Sequence, residues 1–218
     1  MHRQQLNRWV FSNARTLALA SVSLTVVLIA IIVLGPLWRG NYNIVEDGIS
    51  QFALGEHGWI GTVYFALSAV LMAAFARSLT LSIPPSKTLK IATWMLYVIG
   101  ACLVLLVFVK TEPQRGYWPL HRIIHDVISS VGAGLLPLAC LLVAFSIKND
   151  KTWRSLAAYS FATAILLALI DAMSITFFLH IHIVGLQQRL LFLVAFSWVV
   201  AMSLETLRVS SGKSSLDP

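Results

Sequence analysis

The stretch LALASVSLTVVLIAIIVLGPLW, residues 17–38, decides the fold class of this chain. It contains no charged residue, and it has about the 20 residues that an α-helix needs to cross a bilayer core of about 30 Å. Apolar and polar residues do not alternate within it, as they do in the strands of a membrane β-barrel. The stretch therefore predicts a membrane-spanning α-helix.

Further apolar runs of similar length follow along the chain. Hydrophobic residues make up 58% of the sequence and charged residues 11%, and the mean hydropathy of +0.80 is typical of an integral membrane protein. The connections between the runs are too short to hold a soluble domain. We therefore predict one membrane domain over residues 1–218, an all-α polytopic helical bundle with six transmembrane helices at about residues 17–38, 59–79, 91–109, 123–147, 156–179 and 190–207.

The basic residues are distributed unevenly between the two ends of these spans. If the N-terminus is cytoplasmic, eleven of the 16 Lys and Arg residues fall inside and five fall outside. By the positive-inside rule, this bias predicts that both termini are cytoplasmic, in a multi-pass protein of the plasma (inner) membrane. The net charge of +7 is then a signal of topology. We expect the lipid bilayer as a partner and no nucleic acid.

Most histidines lie at the end of the spans that this topology places outside. His121 and His125 are four residues apart, so a helix puts both rings on one face. That spacing occurs in helical zinc sites, and neutral imidazole is a common metal ligand. A third ligand would come from His180, His182 or His57. In this hypothesis zinc is the cofactor, and the catalytic candidates are His121, His125, Asp126 and Ser50.

The connection of residues 39–58, RGNYNIVEDGISQFALGEHG, mixes charged and apolar residues and predicts a short amphipathic helix that lies on the outer mouth of the bundle or dips into it. An alternative to the metal site is a polar pocket at this outer face. Arg189 opens the last span, and we expect it to pair with Asp126, since a partly buried charge needs a partner. Asp171 lies within the fifth span and should face the bundle interior. The predicted pocket residues are Glu46, Asp47, Ser50, His57, Asp171, Gln188 and Arg189.

Three segments of the chain resemble a known family. They are ISQFALGEHGWIG at residues 49–61, TEPQRGYWPLHRIIHD at 111–126 and GLQQRLLFLVAFSW at 185–198, together with the start of the fifth span at Trp153–Ala157. The resemblance is to the domain of unknown function 998 family of bacterial and archaeal polytopic membrane proteins, and it extends over about residues 15–207. It implies a membrane protein of six spans, and it implies no reaction.

Two functional hypotheses follow from these patterns. The first is a non-enzymatic pocket for a lipid headgroup or small solute, bounded by the first outer connection and the outer ends of spans four and six. The second is a metal-dependent membrane hydrolase or transferase that uses His121, His125 and Asp126. A histidine pair at this spacing is a weak signal by itself, because histidine is also common near the headgroup region of a membrane. Whether the protein is an enzyme stays open at this level.

Overall fold

A computed structural model describes residues 2–111, 119–177 and 183–214. Within these ranges the protein is all α-helical, without strands, and it contains six helices long and apolar enough to cross a membrane, which confirms the predicted spans. His180, His182 and most of the third connection lie outside the described residues. The helices are α1 (His2–Leu34), α2 (Trp59–Ser82), α3 (Lys87–Phe108), α4 (Leu120–Ile147), α5 (Ser155–Phe177) and α6 (Val184–Ser214).

The helix ends differ from the predicted spans mainly in α1 and α6. The membrane-spanning part of α1 begins at Ser12, and the helix itself starts ten residues earlier, at His2. Similarly, α6 starts at Val184 and runs to Ser214. Hydropathy predicts only the part of a helix that lies in the hydrocarbon region, whereas backbone hydrogen bonding continues beyond it into polar sequence.

The helices form a closed ring, in which each packs against its neighbours in the sequence and α6 returns to pack against α1. α2 also contacts α6 across the ring. It is the most buried span, with 56% of its most apolar 18-residue segment buried inside the protein. Aromatic side chains hold this centre together. The Phe75 ring packs edge to face on Trp198 with centroids 5.1 Å apart, and Trp198 Nε1 donates a hydrogen bond to Ser160 Oγ at 2.9 Å.

The two ends of the bundle are built differently. At the end that we call the opposite end, residues 83–86 and 148–154 connect the helices. There Ser86 Oγ accepts from Leu89 N at 3.1 Å to cap α3, and Asp150 Oδ1 accepts from Thr152 N at 2.9 Å. Both connections are short turns stabilised by local hydrogen bonds.

At the other end, which we call the covered end, residues 35–58 pack over the bundle. This first connection consists of a 3-10 helix at Gly35–Trp38, a series of turns, and a second 3-10 helix at Ile49–Ala53. The expected short helix on the bundle is therefore present only as these two 3-10 helices, and the connection contains no α-helix. Asn41 has a φ of 58°, and Asn43 and Asp47 bond each other's backbone, so the chain turns repeatedly where an α-helix would run straight.

Close backbone packing holds this connection against the helices. A Cβ on Gly61 would lie 2.3 Å from Ala53 N, so only glycine lets the second 3-10 helix contact the start of α2. A Cβ on Gly35 would lie 2.7 Å from the Phe52 ring. Ile49, Phe52 and Ala53 are consequently buried in the core.

Candidate functional site

The first turn of α6, Gly185–Arg189, binds the first connection through side chains and backbone. Arg189 Nη1 donates to the carbonyl oxygens of Ile44 at 2.9 Å, Gly185 at 2.9 Å and Asp47 at 3.3 Å. Arg189 Nη2 donates to Tyr42 Oη at 2.9 Å. The planar guanidinium has donors in a fixed fork, which suits it to bridge several carbonyls of one turn. Arg189 is therefore an anchor for the connection.

The neighbours of Arg189 extend the same interface. Gln188 Oε1 accepts from Ile49 N at 2.7 Å, and Leu186 N donates to Val45 O at 3.1 Å. Gln187 points the other way, and its Nε2 donates to Ile170 O of α5 at 2.9 Å. A Cβ on Gly185 would lie 2.3 Å from Asp47 O, so a larger residue would push the connection away. The whole GLQQR motif thus joins the connection to two helices.

Tyr42 lies between two arginines. The guanidinium carbons of Arg39 and Arg189 are 5.7 Å and 5.5 Å from the centre of its ring, and its hydroxyl donates to Asp47 O at 2.8 Å. Burial raises the pKa of the Tyr42 hydroxyl above its usual value, although the hydrogen bond from Arg189 opposes this shift. Nothing in the sequence pattern had singled out Tyr42, because its partners are distant in the chain.

The expected pairing of Arg189 with Asp126 is wrong. Arg189 bonds the first connection, while Asp126 Oδ2 lies 3.7 Å from Arg122 Nε on its own helix. Both residues were correctly expected near helix ends. However, position along a helix says nothing about which neighbour the side chain faces around the ring. The partners of Arg189 are the backbone carbonyls of Ile44 and Asp47, and not the carboxylate of Asp126.

His125 is buried and has a structural partner. Its Nδ1 lies 2.7 Å from Val109 O, the carbonyl of the residue that directly follows and caps α3. Since a carbonyl oxygen only accepts, Nδ1 carries the proton and donates. The last carbonyls of a helix lack partners within it, and His125 satisfies one of them. The ring also packs on Phe65, with centroids 6.3 Å apart.

The structure does not assemble the hypothetical zinc site from the residues it describes. Across 2–111, 119–177 and 183–214, no three His, Cys, Asp or Glu side chains are placed to hold a metal ion. His121 is exposed, one turn from the buried His125. The proposed third ligands His180 and His182 lie outside the described residues, so a zinc site that includes them stays a prediction.

The predicted pocket residues separate into four groups. Asp47, Gln188 and Arg189 meet at the interface between the first connection and α6. Glu46 is exposed and Ser50 is half-buried in the same connection. Asp171 is half-buried in α5, next to the carbonyl that binds Gln187, and its buried Oδ2 has no hydrogen-bond partner among the described residues. His57 alone lines a cleft.

This cleft has a volume of about 320 Å³ and lies between the end of α1, the first connection and the start of α2. The walls come from elements other than α4 and α6, which differs from the expected position of the pocket. Three of its charged or aromatic wall residues, Trp38, Arg39 and Glu56, were missed from the sequence. Its lining residues are Gly35, Trp38, Arg39, Gly40, Phe52, Leu54, Gly55, Glu56, His57 and Ile60.

Arg39 is held in the cleft wall by the connection. Its Nη1 donates to Gln51 O, and its guanidinium lies over the Tyr42 ring. Glu56 is exposed and has no hydrogen-bond or ion-pair partner within the described part of the chain. The cleft therefore combines a cation in a fixed position with an unpaired carboxylate. The sequence carries a signal for this in Trp38-Arg39, where a tryptophan ends the first span and an arginine follows it.

Two of the segments that carry the family resemblance, Ile49–Gly61 and Gly185–Arg189, thus pack together at the covered end, and Gln188 connects them. Trp153, in a third, is buried at the opposite end. No curated protein and no solved structure matches the chain. A family model described as protein of unknown function (DUF998) matches residues 12–205, most of the chain, and the protein therefore belongs to this family of membrane proteins.

Proposed function

We propose that the protein binds the headgroup of a membrane lipid in the cleft beside Arg39, and that it does so without catalysing a reaction. The observation that carries the proposal is the position of this polar cleft at the end of a membrane-spanning helix, in contact with lipid-facing surface. Its volume of about 320 Å³ is at the small end of ligand sites, which suits a headgroup better than a whole lipid.

The surroundings of the cleft favour a lipid over a dissolved solute. The end of α1 and the 3-10 helix that follows it expose large apolar side chains next to the cleft, with Val33 64% exposed, Leu37 78% and Trp38 50%. In a membrane-spanning helix such residues contact acyl chains, and tryptophan is enriched at the level of the headgroups. A lipid whose headgroup occupies the cleft would lay its acyl chains along this face of α1.

Lipid binding can be tested by filling the cleft. Gly40 lines it, and a Cβ there would meet no atom within 4 Å, so Gly40→Trp should occupy the cleft without disturbing the fold. Gly134→Trp is the matched control, because the space around Gly134 in α4 is equally open. Native mass spectrometry of purified protein with added lipid should show a bound lipid in the wild type and in Gly134→Trp. We expect Gly40→Trp to bind at least about tenfold more weakly, equivalent to about 1.4 kcal/mol.

The melting temperature of each variant in detergent provides the folding control. A Gly40→Trp protein that melts normally and retains the same bound lipid would show that the cleft is not the site. Loss of the lipid in Gly134→Trp as well would point to general binding on the surface of the helices, and would equally contradict the proposal.

We further propose that the covered end faces away from the cytoplasm in the plasma membrane. The eleven-to-five distribution of Lys and Arg supports this orientation. Glu46 and Lys151 are exposed at opposite ends, so each can be replaced by cysteine in a variant that lacks Cys102 and Cys140. A membrane-impermeant maleimide added to intact cells should label Glu46→Cys and leave Lys151→Cys unlabelled until the cells are lysed. The reverse pattern would invert the proposed orientation.

A further inference from the structure

We infer that the headgroup recognised by the cleft is zwitterionic, with a phosphate group at Arg39 and an ammonium group at Glu56. This inference rests on the proposed function, since it specifies the ligand of the same cleft. The shared chemistry of such ligands is a phosphate ester joined by a short linker to an amine, as in phosphoethanolamine and phosphocholine headgroups. Two opposite charges in one small cleft carry the argument.

The phosphate end of the site is defined by Arg39. The hydrogen bond from Nη1 to Gln51 O and the contact with the Tyr42 ring hold the guanidinium in position. A guanidinium has five N–H donors, so the bond to Gln51 leaves others for a ligand, and its planar fork matches phosphate oxygens. His57 lines the same cleft and can donate a further hydrogen bond from its ring. These groups favour an anion.

The ammonium end is defined by Glu56 and Trp38. Glu56 lines the cleft with a carboxylate that is unpaired within the described residues, so an ammonium group would be its ion-pair partner. Trp38 lines the cleft as well, and the face of an indole ring attracts ammonium groups, including quaternary ones. A carboxylate beside tryptophan thus suits either a primary or a methylated amine.

The combination disfavours headgroups that carry only one sign of charge. A purely anionic headgroup would gain the contact with Arg39 but would be repelled by Glu56. A purely cationic group would be attracted by Glu56 and repelled by Arg39. Only a headgroup with both charges satisfies both side chains, and this selectivity is the testable content of the inference.

The experiment compares lipids and charge variants in the full-length protein. Wild-type protein in detergent is titrated with short-chain phosphatidylethanolamine, phosphatidylcholine and phosphatidylglycerol, and binding is followed by native mass spectrometry. Soluble phosphoethanolamine is a further arm that separates recognition of the headgroup alone from recognition of a lipid. We expect either zwitterionic lipid to bind about tenfold more tightly than phosphatidylglycerol, and soluble phosphoethanolamine to compete only weakly.

The variants assign each charge to its end of the ligand. Glu56→Gln removes the carboxylate with little change in shape, and Glu46→Gln is the matched control on an exposed glutamate outside the cleft. Glu56→Gln should lose most of the preference for zwitterionic lipid, and Glu56→Lys should reverse it in favour of phosphatidylglycerol. Arg39→Lys keeps the charge without the fork and should weaken binding of all three lipids several-fold.

The possible failures are distinguishable. If wild-type protein binds phosphatidylglycerol as well as the zwitterionic lipids, and Glu56→Gln changes nothing, the inference is overturned while lipid binding in the cleft stands. If none of the lipids binds, or Gly40→Trp leaves binding unchanged, the proposed function itself fails. Equally tight binding of soluble phosphoethanolamine and of lipid would identify a solute site and contradict the role of the membrane.

Discussion

The connections at the opposite end and at the covered end both join consecutive helices, but different kinds of hydrogen bond hold them in place. At the opposite end, the hydrogen bonds of residues 83–86 and 148–154 join positions at most four apart. At the covered end, residues 35–58 are bonded to α6 by contacts that link positions 139 to 147 residues apart. The opposite end is held by hydrogen bonds between residues close in sequence, whereas the covered end requires that α6 has packed against the rest of the bundle.

This difference indicates which connections contribute only to stability and which one also positions the cleft. A local turn needs only its own residues, so its loss should fray one helix end. The covered end carries the cleft, and Arg39 packs on the Tyr42 ring, whose hydroxyl accepts a hydrogen bond from Arg189. A change in α6 can therefore reach the cleft, whereas a change in a turn at the opposite end should not.

The largest expected effect is from Gly185→Ala. The added methyl group would lie 2.3 Å from Asp47 O and 2.4 Å from Ile44 O, both backbone atoms, so the connection must move. Overpacking of this kind and the loss of hydrogen bonds should lower the free energy of unfolding by about 3 kcal/mol. The measurement is denaturant unfolding in mixed micelles. Gly134→Ala, in open space, should be neutral or stabilising, because alanine favours helix. Equal stability of the two variants would refute the tight contact.

Arg189→Gln should come next, with a loss of about 2 kcal/mol, because it removes charged hydrogen bonds to the carbonyls of Ile44 and Asp47. Arg154→Gln, on an exposed arginine at the opposite end, should change the stability by less than about 0.5 kcal/mol. A double-mutant cycle sharpens the test. Arg189 should couple to Tyr42→Phe and not to Asp126→Asn, and coupling to Asp126 alone would restore the pairing that the structure contradicts.

His125→Ala should cost about 1–2 kcal/mol, because Val109 O loses its donor at the end of α3. His125→Asn can place an amide N–H near the position of Nδ1, and we expect it to recover much of the stability. Metal analysis of the purified proteins separates this role from ligation. A stoichiometric metal in the wild type that both substitutions remove would instead support the zinc hypothesis.

The smallest effect is a dependence on alkaline pH. Tyr42 needs its proton to donate to Asp47 O, and its pKa is raised above 10.0 in the folded protein, chiefly by burial. A raised pKa means that its contribution to stability is complete below pH 10 and is lost as the pH rises through the folded value. Tyr42→Phe should therefore show a shallower loss of stability above pH 10 than the wild type. Parallel pH profiles of the two proteins would mean that the pKa of Tyr42 is the same in the folded and the unfolded state, and would contradict this prediction.

The sequence was sufficient to predict the spans because hydropathy is a local property that sums along one helix. Span boundaries came within a few residues for α2, α3 and α4. The first span was predicted to run to Trp38, whereas α1 ends at Leu34 and a 3-10 helix follows, because proline at position 36 restricts the helix that precedes it. These features require no knowledge of which helices are neighbours.

The site was predicted less well because its partners are distant in sequence. Asp47, Gln188 and Arg189 are polar residues at the correct end, yet Arg189 binds Asp47 O and Gln188 binds Ile49 N, and the cleft is lined by Trp38, Arg39 and Glu56 instead. His125 was chosen as a ligand for its spacing from His121, and the structure uses it to bind Val109 O. The sequence predicts the type of a residue and its depth in the membrane. Which neighbouring helix its side chain faces depends on how the helices pack in the ring.

The contact between Ile44 and Arg189, 145 positions apart, also has a consequence for biosynthesis. A ribosome adds about 5–20 residues per second, so the first connection waits roughly 7 to 30 s after it emerges before its anchor is made. During that interval Ile44 O has only water or membrane-surface groups in place of Arg189. Nascent chains stalled before Val184 should accordingly be cleaved by protease within residues 39–58, and completed chains should resist.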